Sequence, residues 1–320
     1  MRDHGGNLDQ AKARFGAGDW IDLSTGINRV PYPLGKLPAS VWRDLPTRSA
    51  MDRLRVAAQG AYGTQAAVAI LSGAQGAIQL MPVLGPKGLA RVVAPTYNEH
   101  AAALLLSGWR VEEVPGLDCL AGADLAVVVN PNNPDGRQFA RADLLALLGR
   151  VGRLVVDESF ADPVPDQSLA SDAGRSGLIV LRSFGKFYGL AGLRLGFALG
   201  AAEDIARLTD LAGPWPVAGV ALEIGTRALR DRLWQATTAQ RLETEAATLD
   251  RICTNIGWQA LGGTPLFRLF YTPDAGQAQD HLARHHIWSR IFPYSPHWLR
   301  LGLPGGAPEW QRLRTLPRQS

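Results

Sequence analysis

Cysteine is scarce in this chain. Only two occur in 320 residues, Cys119 and Cys253. They lie far apart with no neighbouring Cys or His at metal-ligand spacing, which argues against a disulfide framework and a zinc site and for structural thiols in a reducing compartment. Long apolar runs are missing as well. No stretch reaches the ~18 uninterrupted apolar residues of a membrane span, and the opening MRDHGGNLDQAKARFGAGDW has no apolar core of signal-peptide length. A cytoplasmic protein with no membrane partner is the expectation. Runs of basic charge are absent too: the 33 Lys and Arg residues exceed the 29 Asp and Glu by a net +4, yet they are dispersed and make no strip for a phosphate backbone. A small anionic ligand accounts for the basic balance, and no nucleic-acid partner is expected. The 35 glycines and 21 prolines are scattered, without repeat or low-complexity period.

What is present is apolar periodicity. The 46% hydrophobic content supports a substantial core in a chain of this length. Between about residues 50 and 212, LARVVAP (89–95), DLAVVVN (124–130), RLVVDE (153–158), LIVLRS (178–183) and RLGFALG (194–200) read as strands. Helical spacing separates several of them, as in YNEHAAALLLSGW (97–109) and ARADLLALLGRVG (140–152). Continuous apolar strands alternating with helices predict an α/β domain with a mostly parallel sheet covered on both faces. After GPWPVAG (213–219) a long helical stretch runs to about 256, and PLFRLFYT and HWLRLGLP read as strands of a second sheet. The expected division is a large domain over 41–214 and a smaller α+β domain from 1–40 and 215–320.

In such sheets ligands collect at the carboxyl ends of strands, and the polar groups of this sequence accumulate there: Tyr97, Asn133, Asp157, Ser183 and Lys186. The set suits an aromatic, phosphorylated aldehyde. Pyridoxal 5′-phosphate requires an amine to attach it, a carboxylate to keep its ring nitrogen protonated, a donor to its ring oxygen, a planar group over the ring and a cradle for the phosphate. Lys186 is the candidate amine and Asp157 the carboxylate. Asn133 in NPNNPDG is the donor and Tyr97 the stacking group. LSGAQGAIQLM (71–81) reads as a turn entering a helix, whose start at Gly73, Ala74 and Gln75 would bind phosphate through backbone N–H groups, completed by Ser183 and Arg194. Singly, each has a plainer reading: a surface lysine, a solvated Asp-Glu turn, a Pro-rich loop, a packing tyrosine. GLAGLRLG also mimics a dinucleotide fingerprint, but it follows a lysine loop and precedes a strand, the wrong context for that motif.

Taken in order, SGAQGAI, APTYNEH, NPNNPDG, VVDESF and SFGKFYGLAGLRLGF resemble the fold-type I pyridoxal-phosphate enzymes of the class I and II aminotransferase superfamily over essentially the whole chain. The resemblance implies the transferase-like α/β fold and the cofactor roles just given. It also implies that Arg300, in WLRLGLP, binds a substrate carboxylate, and that the enzyme is a homodimer. Within the superfamily, DHGGNL (3–8), VLRSFGKFYGLAGLRLG and Phe160 in DESF are similar to the threonine-phosphate decarboxylases of cobalamin biosynthesis. That likeness implies conversion of L-threonine O-3-phosphate to (R)-1-amino-2-propanol O-2-phosphate and carbon dioxide, with His4, Gly5, Gly6 and Asn28 holding the substrate phosphate so that remote binding energy aligns the reacting carbon. Without that likeness His-Gly-Gly reads as a disordered tail.

Histidinol-phosphate aminotransferases share most of these motifs, and sequence does not show which bond at the α-carbon is broken, so transamination stays open. A catalytically silent ligand-binding protein on the same scaffold is a third reading; retention of the lysine, aspartate and arginine together argues against it. One departure stands out. Where many relatives have a Tyr-Pro step that reaches the cofactor phosphate of the neighbouring subunit, this chain has Leu45-Pro46. Either another hydroxyl, such as that of Tyr62, replaces it or the phosphate has one bond fewer.

Overall fold

The computed structural model describes residues 4–317. Its chain divides into two compact units. The larger comprises Tyr32–Asn133 and Gln138–Ala236, and the smaller the described parts of Met1–Pro31, Pro134–Arg137 and Thr237–Ser320. In chain order the strands are β1 (Ile21–Asp22), β2 (Ala67–Ser72), β3 (Leu89–Val93), β4 (Arg110–Val114), β5 (Leu125–Val129), β6 (Leu154–Asp157), β7 (Leu178–Ser183), β8 (Leu195–Gly200), β9 (Gln259–Thr264), β10 (Phe267–Tyr271), β11 (Ile287–Trp288), β12 (Arg290–Phe292) and β13 (Ser295–Gly302).

The larger unit is built on a seven-stranded sheet in the order β2-β8-β7-β6-β5-β3-β4. Strands β4, β3, β5, β6 and β7 are parallel, and β8 runs antiparallel to both its neighbours. The mostly parallel sheet expected from the sequence is therefore present. Its central strands are apolar on both faces, and every residue of β5, β6, β7 and β8 is buried. Each fully enclosed Val or Leu contributes roughly 1.5–3 kcal/mol, so four such strands fix the register firmly. Strand β4 escaped the sequence reading because RVEEV is an edge strand with two exposed positions and no apolar run.

Two helical expectations needed adjustment. Over 140–152 only Arg141–Leu145 is α-helical, and Gly149 at φ +82° belongs to the turn that follows. The stretch 219–256 is two helices, Gly219–Arg230 and Arg232–Ile256. Between them Asp231 turns its carboxylate back to accept from the Trp234 backbone N–H at 3.0 Å, the capping role that suits aspartate at a helix start. Helix Gly219–Arg230 buries Ala221, Leu222, Ile224, Ala228 and Leu229 at helical spacing, and Tyr32 packs edge-on against Trp234 at 5.2 Å. Residues 32–40 and 215–236, grouped with the smaller domain in the sequence reading, consequently pack with the larger unit.

The smaller unit carries a four-stranded antiparallel sheet, β12-β13-β10-β9, and a parallel pair, β1 with β11. Residues 134–137 belong to it because the backbones of Gly136 and Gly263 touch. A Cβ at Gly136, whose φ is +73°, would collide with the Gly263 carbonyl, so only glycine fits there.

Candidate active site

A cavity of about 150 Å³ opens in the larger unit at the carboxyl ends of its parallel strands. All nine residues named for the cofactor line it: Gly73, Ala74, Gln75, Tyr97, Asn133, Asp157, Ser183, Lys186 and Arg194. The topology explains the convergence. Strand β6 ends on Asp157, β7 on Ser183, and the helix Gly73–Leu80 starts directly after β2.

Asp157 is 2% exposed. Its Oδ2 receives a hydrogen bond from His100 Nε2 at 2.8 Å, and its Oδ1 accepts from the backbone N–H and hydroxyl of Ser159 at 2.9 and 2.5 Å. Burial works against its charge, but these bonds and the proximity of His100 outweigh burial and hold the carboxyl below its ordinary range. A buried anion with three donors is chemically suited to face a protonated ring nitrogen. His100 and Ser159 went unnoticed in the sequence. The available signal was their position beside named residues, His100 in the TYNEH stretch that carries Tyr97 and Ser159 two residues after Asp157; the Tyr97 and His100 rings meet edge-on at 6.3 Å.

At the other end of the cavity the helix Gly73–Leu80 presents its N-terminus. Gly73 has φ +71°, and a Cβ there would lie 3.0 Å from Arg194 Nη2. The glycine thus serves twice, making the turn and letting the guanidinium approach. Arg194 itself is left-handed, φ 52°, with Nη1 donating to the Ala191 carbonyl at 3.1 Å. Backbone donors, a helix N-terminus and a guanidinium together are chemically suited to an anionic group such as a phosphate.

Lys186 sits on the one-turn helix Phe184–Phe187, with Nζ 5.6 Å from the centre of the Phe160 ring. The rest of this turn is anchored in aromatics: Tyr188 stacks on Phe184 at 4.3 Å and on Trp234 at 5.5 Å. The apolar pattern around the lysine is therefore the foundation under it, while its amine reaches the cavity.

On the opposite side of the same strand ends lies a closed ionic cluster. Arg182, fully enclosed, pairs with Glu158 at 2.7 Å and Asp162 at 2.8 Å, and its guanidinium lies 4.3 Å over the Tyr62 ring. Tyr62, named above as a substitute hydroxyl, belongs to this cluster. The Tyr62 hydroxyl is buried beside this cluster without a hydrogen-bond partner, and burial, reinforced by the nearby Asp162, raises its pKa above the ordinary phenol value. It does not line the cavity. Leu45 is 66% exposed.

The residues named for the substrate all lie in the smaller unit. His4 and Gly5 line a second cavity of about 200 Å³, together with Ser24, Ser289 and Arg290. The Gly6 N–H donates to Ser24 Oγ at 2.8 Å. Asp3, the first residue of the DHGGNL motif, lies outside the described residues. Asn28 does not line this cavity; its side-chain oxygen accepts from the Val30 N–H at 3.0 Å and Arg241 Nη2 at 2.8 Å, which fastens its loop. Arg300 is buried and donates to the Ser24 carbonyl at 2.8 Å. It stands directly opposite Arg290 in the β12–β13 pairing. Burial and the facing Arg290 lower its pKa to about 10. Arg290 was not singled out in the sequence, since only strand register brings it to Arg300.

Among the described residues no three His, Cys, Asp or Glu side chains cluster to hold a metal, and no helix is long and apolar enough to cross a membrane. The fold and this site define an α/β protein with a lysine, a carboxylate, a helix N-terminus and an arginine on one cavity. The sequence profile of the family "Aminotransferase class I and II" matches residues 48–311, and the chain belongs to that family. It is similar to a threonine-phosphate decarboxylase of Sinorhizobium sp, 43% identical over 97% of this chain and 96% of the relative. A protein of the same name from Pseudomonas aeruginosa is 43% identical over 98% of this chain and 96% of its own. A histidinol-phosphate aminotransferase of Mycobacterium tuberculosis is 35% identical over 74% of this chain and 68% of the relative. Among solved structures, histidinol-phosphate aminotransferase from Sinorhizobium meliloti in complex with pyridoxal-5′-phosphate superposes with a TM-score of 0.88 at 20% identity, covering 98% of this chain and 94% of that one.

Proposed function

We propose that this protein is a pyridoxal 5′-phosphate-dependent decarboxylase that converts L-threonine O-3-phosphate to (R)-1-amino-2-propanol O-2-phosphate and carbon dioxide. The observation that carries the reading is the 43% identity to threonine-phosphate decarboxylases over nearly the full length of both chains. The cavity fits the cofactor by its donor set: an amine, a buried anion, a tyrosine ring, and a helix start that only glycine keeps open for Arg194.

Lys186 would hold the cofactor, Asp157 its ring nitrogen, Asn133 its ring oxygen, Tyr97 its face, and Gly73, Ala74, Gln75, Ser183 and Arg194 its phosphate. When bound, pyridoxal 5′-phosphate supplies an electron-accepting ring joined to the substrate's nitrogen. The chain's own residues do the rest. Asp157 holds a negative charge in place with no reorganisation, because His100 and Ser159 already fix its oxygens. Once the substrate's nitrogen had taken its place on the cofactor, Lys186 Nζ would be the group in the cavity able to return a proton to the α-carbon after carbon dioxide has left. Arg300 and Arg290, like charges on paired strands, gain counter-charge from an acidic substrate. His4, Gly5, Gly6 and Asn28 are assigned to its phosphate, with Asn28 also holding its loop.

A place in cobalamin biosynthesis follows from the proposed product, and a cytoplasmic homodimer from the family likeness. The exposed apolar residues Trp42, Leu45 and Val56, each more than 60% accessible, support the dimer. The aminotransferase reading keeps one observation in its favour, the 35% identity to a histidinol-phosphate aminotransferase. The test is purified protein with L-threonine O-3-phosphate alone and, separately, histidinol phosphate with 2-oxoglutarate. Carbon dioxide release without any 2-oxo acid is expected. Amino-group transfer with a strict need for the acceptor would overturn the proposal.

A further inference from the structure

We infer that Glu99 is a positioning residue that fixes Tyr97 as a wall of the cofactor cavity through the side-chain amide of Gln75. The inference rests on the cofactor reading above. Glu99 is buried at the start of the helix Glu99–Leu106 and does not itself line the cavity. Its Oε2 accepts from Gln75 Nε2 at 3.1 Å, and Gln75 Oε1 accepts from the Tyr97 hydroxyl at 3.2 Å.

The chemistry of the three groups sets a direction. A carboxylate accepts hydrogen bonds and cannot donate them, so it must face the NH₂ end of the Gln75 amide. That leaves the amide oxygen toward Tyr97, and the phenol must donate. Without the carboxylate, either end of the amide could face Tyr97. A buried acid thus converts an ambiguous glutamine into a polarised one and holds the tyrosine ring by its hydroxyl hydrogen. The next residue, His100, performs the parallel service for Asp157. Two consecutive residues of one helix start therefore hold two different walls of the same cavity.

The experiment measures the dissociation constant of pyridoxal 5′-phosphate by equilibrium dialysis in a double-mutant cycle of Glu99→Gln and Tyr97→Phe. A glutamine at 99 fills the same space and can donate or accept, so the bias on Gln75 is lost. In the wild-type background Glu99→Gln is expected to weaken binding roughly three- to tenfold, the worth of one hydrogen bond. In the Tyr97→Phe background the same substitution should have less than a twofold effect, since no hydroxyl remains to be oriented. Equal effects in both backgrounds, or none in either, overturn the inference. If Glu99→Gln does not fold, Gln75→Met with Tyr97→Phe gives the same cycle from the other end, and additivity there overturns it equally. A readout independent of the cofactor keeps this result apart from failure of the cofactor reading. In wild type minus Tyr97→Phe Raman difference spectra, the tyrosine ring doublet should report a donating phenol, and Glu99→Gln should reduce that signature. If the wild type takes up no cofactor, the proposed function fails, and the Raman result alone decides whether Glu99 orients Tyr97.

Discussion

Asp157 and Glu158 are neighbours in sequence, both buried acids at the end of β6, yet they stand in different worlds. Successive side chains of a strand point to opposite faces. Asp157 faces the cavity, held by His100 and Ser159 but with space in front of it. Glu158 faces the underside, closed in with Arg182, Ser168 and the Leu169 N–H. The same alternation separates Ser183, on the cavity, from Arg182, in the cluster. One layer of polar residues thus serves the chemistry and the layer behind it fastens the strand ends. Hydrogen-bond donors and nearby His100 make the first acid easier to ionise; burial makes Glu158 and Asp162 harder, the single Arg182 offsetting that only in part.

The largest effect that tests this comparison is on the cavity side. Lys186→Ala should abolish both turnover and the covalent attachment of cofactor that borohydride reduction fixes, while leaving the urea midpoint of the cofactor-free protein nearly unchanged, because the amine faces the cavity and the aromatic anchors of its turn remain. Mass spectrometry of the reduced protein checks the attachment. A variant that still retained covalent cofactor would mean that another amine holds it.

On the underside the expectation reverses, with stability lost and chemistry spared until the fold gives way. Arg182→Met removes the one cation from two enclosed carboxylates, and breaking a buried pair in this manner costs roughly 3–5 kcal/mol. Guanidinium unfolding would show it. A loss under about 1 kcal/mol would show that the cluster relaxes or takes up a proton without consequence.

The third test concerns the support of Asp157. His100→Asn weakens one of its charge-assisted bonds, worth roughly 1.5–3 kcal/mol, so turnover should fall about tenfold or more. Burial would then push the Asp157 carboxyl upward. With its pKa held below the ordinary value, the native state gains stability from Asp157 above about pH 4, and that gain is lost as pH falls through the lowered pKa. In His100→Asn that gain should shrink, so the acid limb of the stability profile flattens. An unchanged acid limb of the stability profile would place the stabilisation of Asp157 elsewhere.

Much of this architecture can be read from the chain. The strands β3, β5, β6, β7 and β8 announce themselves because they are rich in apolar residues, and the nine cofactor positions share one cavity because eight of them follow or end a strand or start a helix and Arg194 leads into β8, which runs antiparallel to β7. What stays hidden depends on register or on the second face. Arg290 meets Arg300 only through the β12–β13 pairing. Asn28 spends its oxygen on Arg241, 213 residues away, and no local pattern indicates it. Tyr62 looked like a spare hydroxyl until packing placed it under Arg182. Arg182 and Glu158 sit inside the motifs that flag the site, and strand alternation turns them away from the cavity.

The smallest effect is the sharpest on this point. Asp162 shares Arg182 with Glu158, and its Oδ2 has no hydrogen-bond partner. Two acids and one base leave the enclosed cluster one negative charge in excess when all are ionised, and burial raises the pKa of both acids. A carboxyl whose native pKa lies above its unfolded one keeps its proton longer in the folded state, so stability falls as pH rises through that window, opposite in sign to Asp157. Asp162→Asn keeps an oxygen for Arg182 and removes the excess charge. Its stability at pH 7 should be within about 1 kcal/mol of wild type, since only one hydrogen bond is at stake, and the decline above the ordinary carboxyl range should flatten. A denaturation series from pH 4 to 8 would decide it. If the decline persists unchanged, the titrating group on the underside is Glu158 or lies outside the cluster. If Asp162→Asn is instead strongly destabilising at every pH, the cluster needs both negative charges, and the contrast between the two faces of β6 is one of geometry alone.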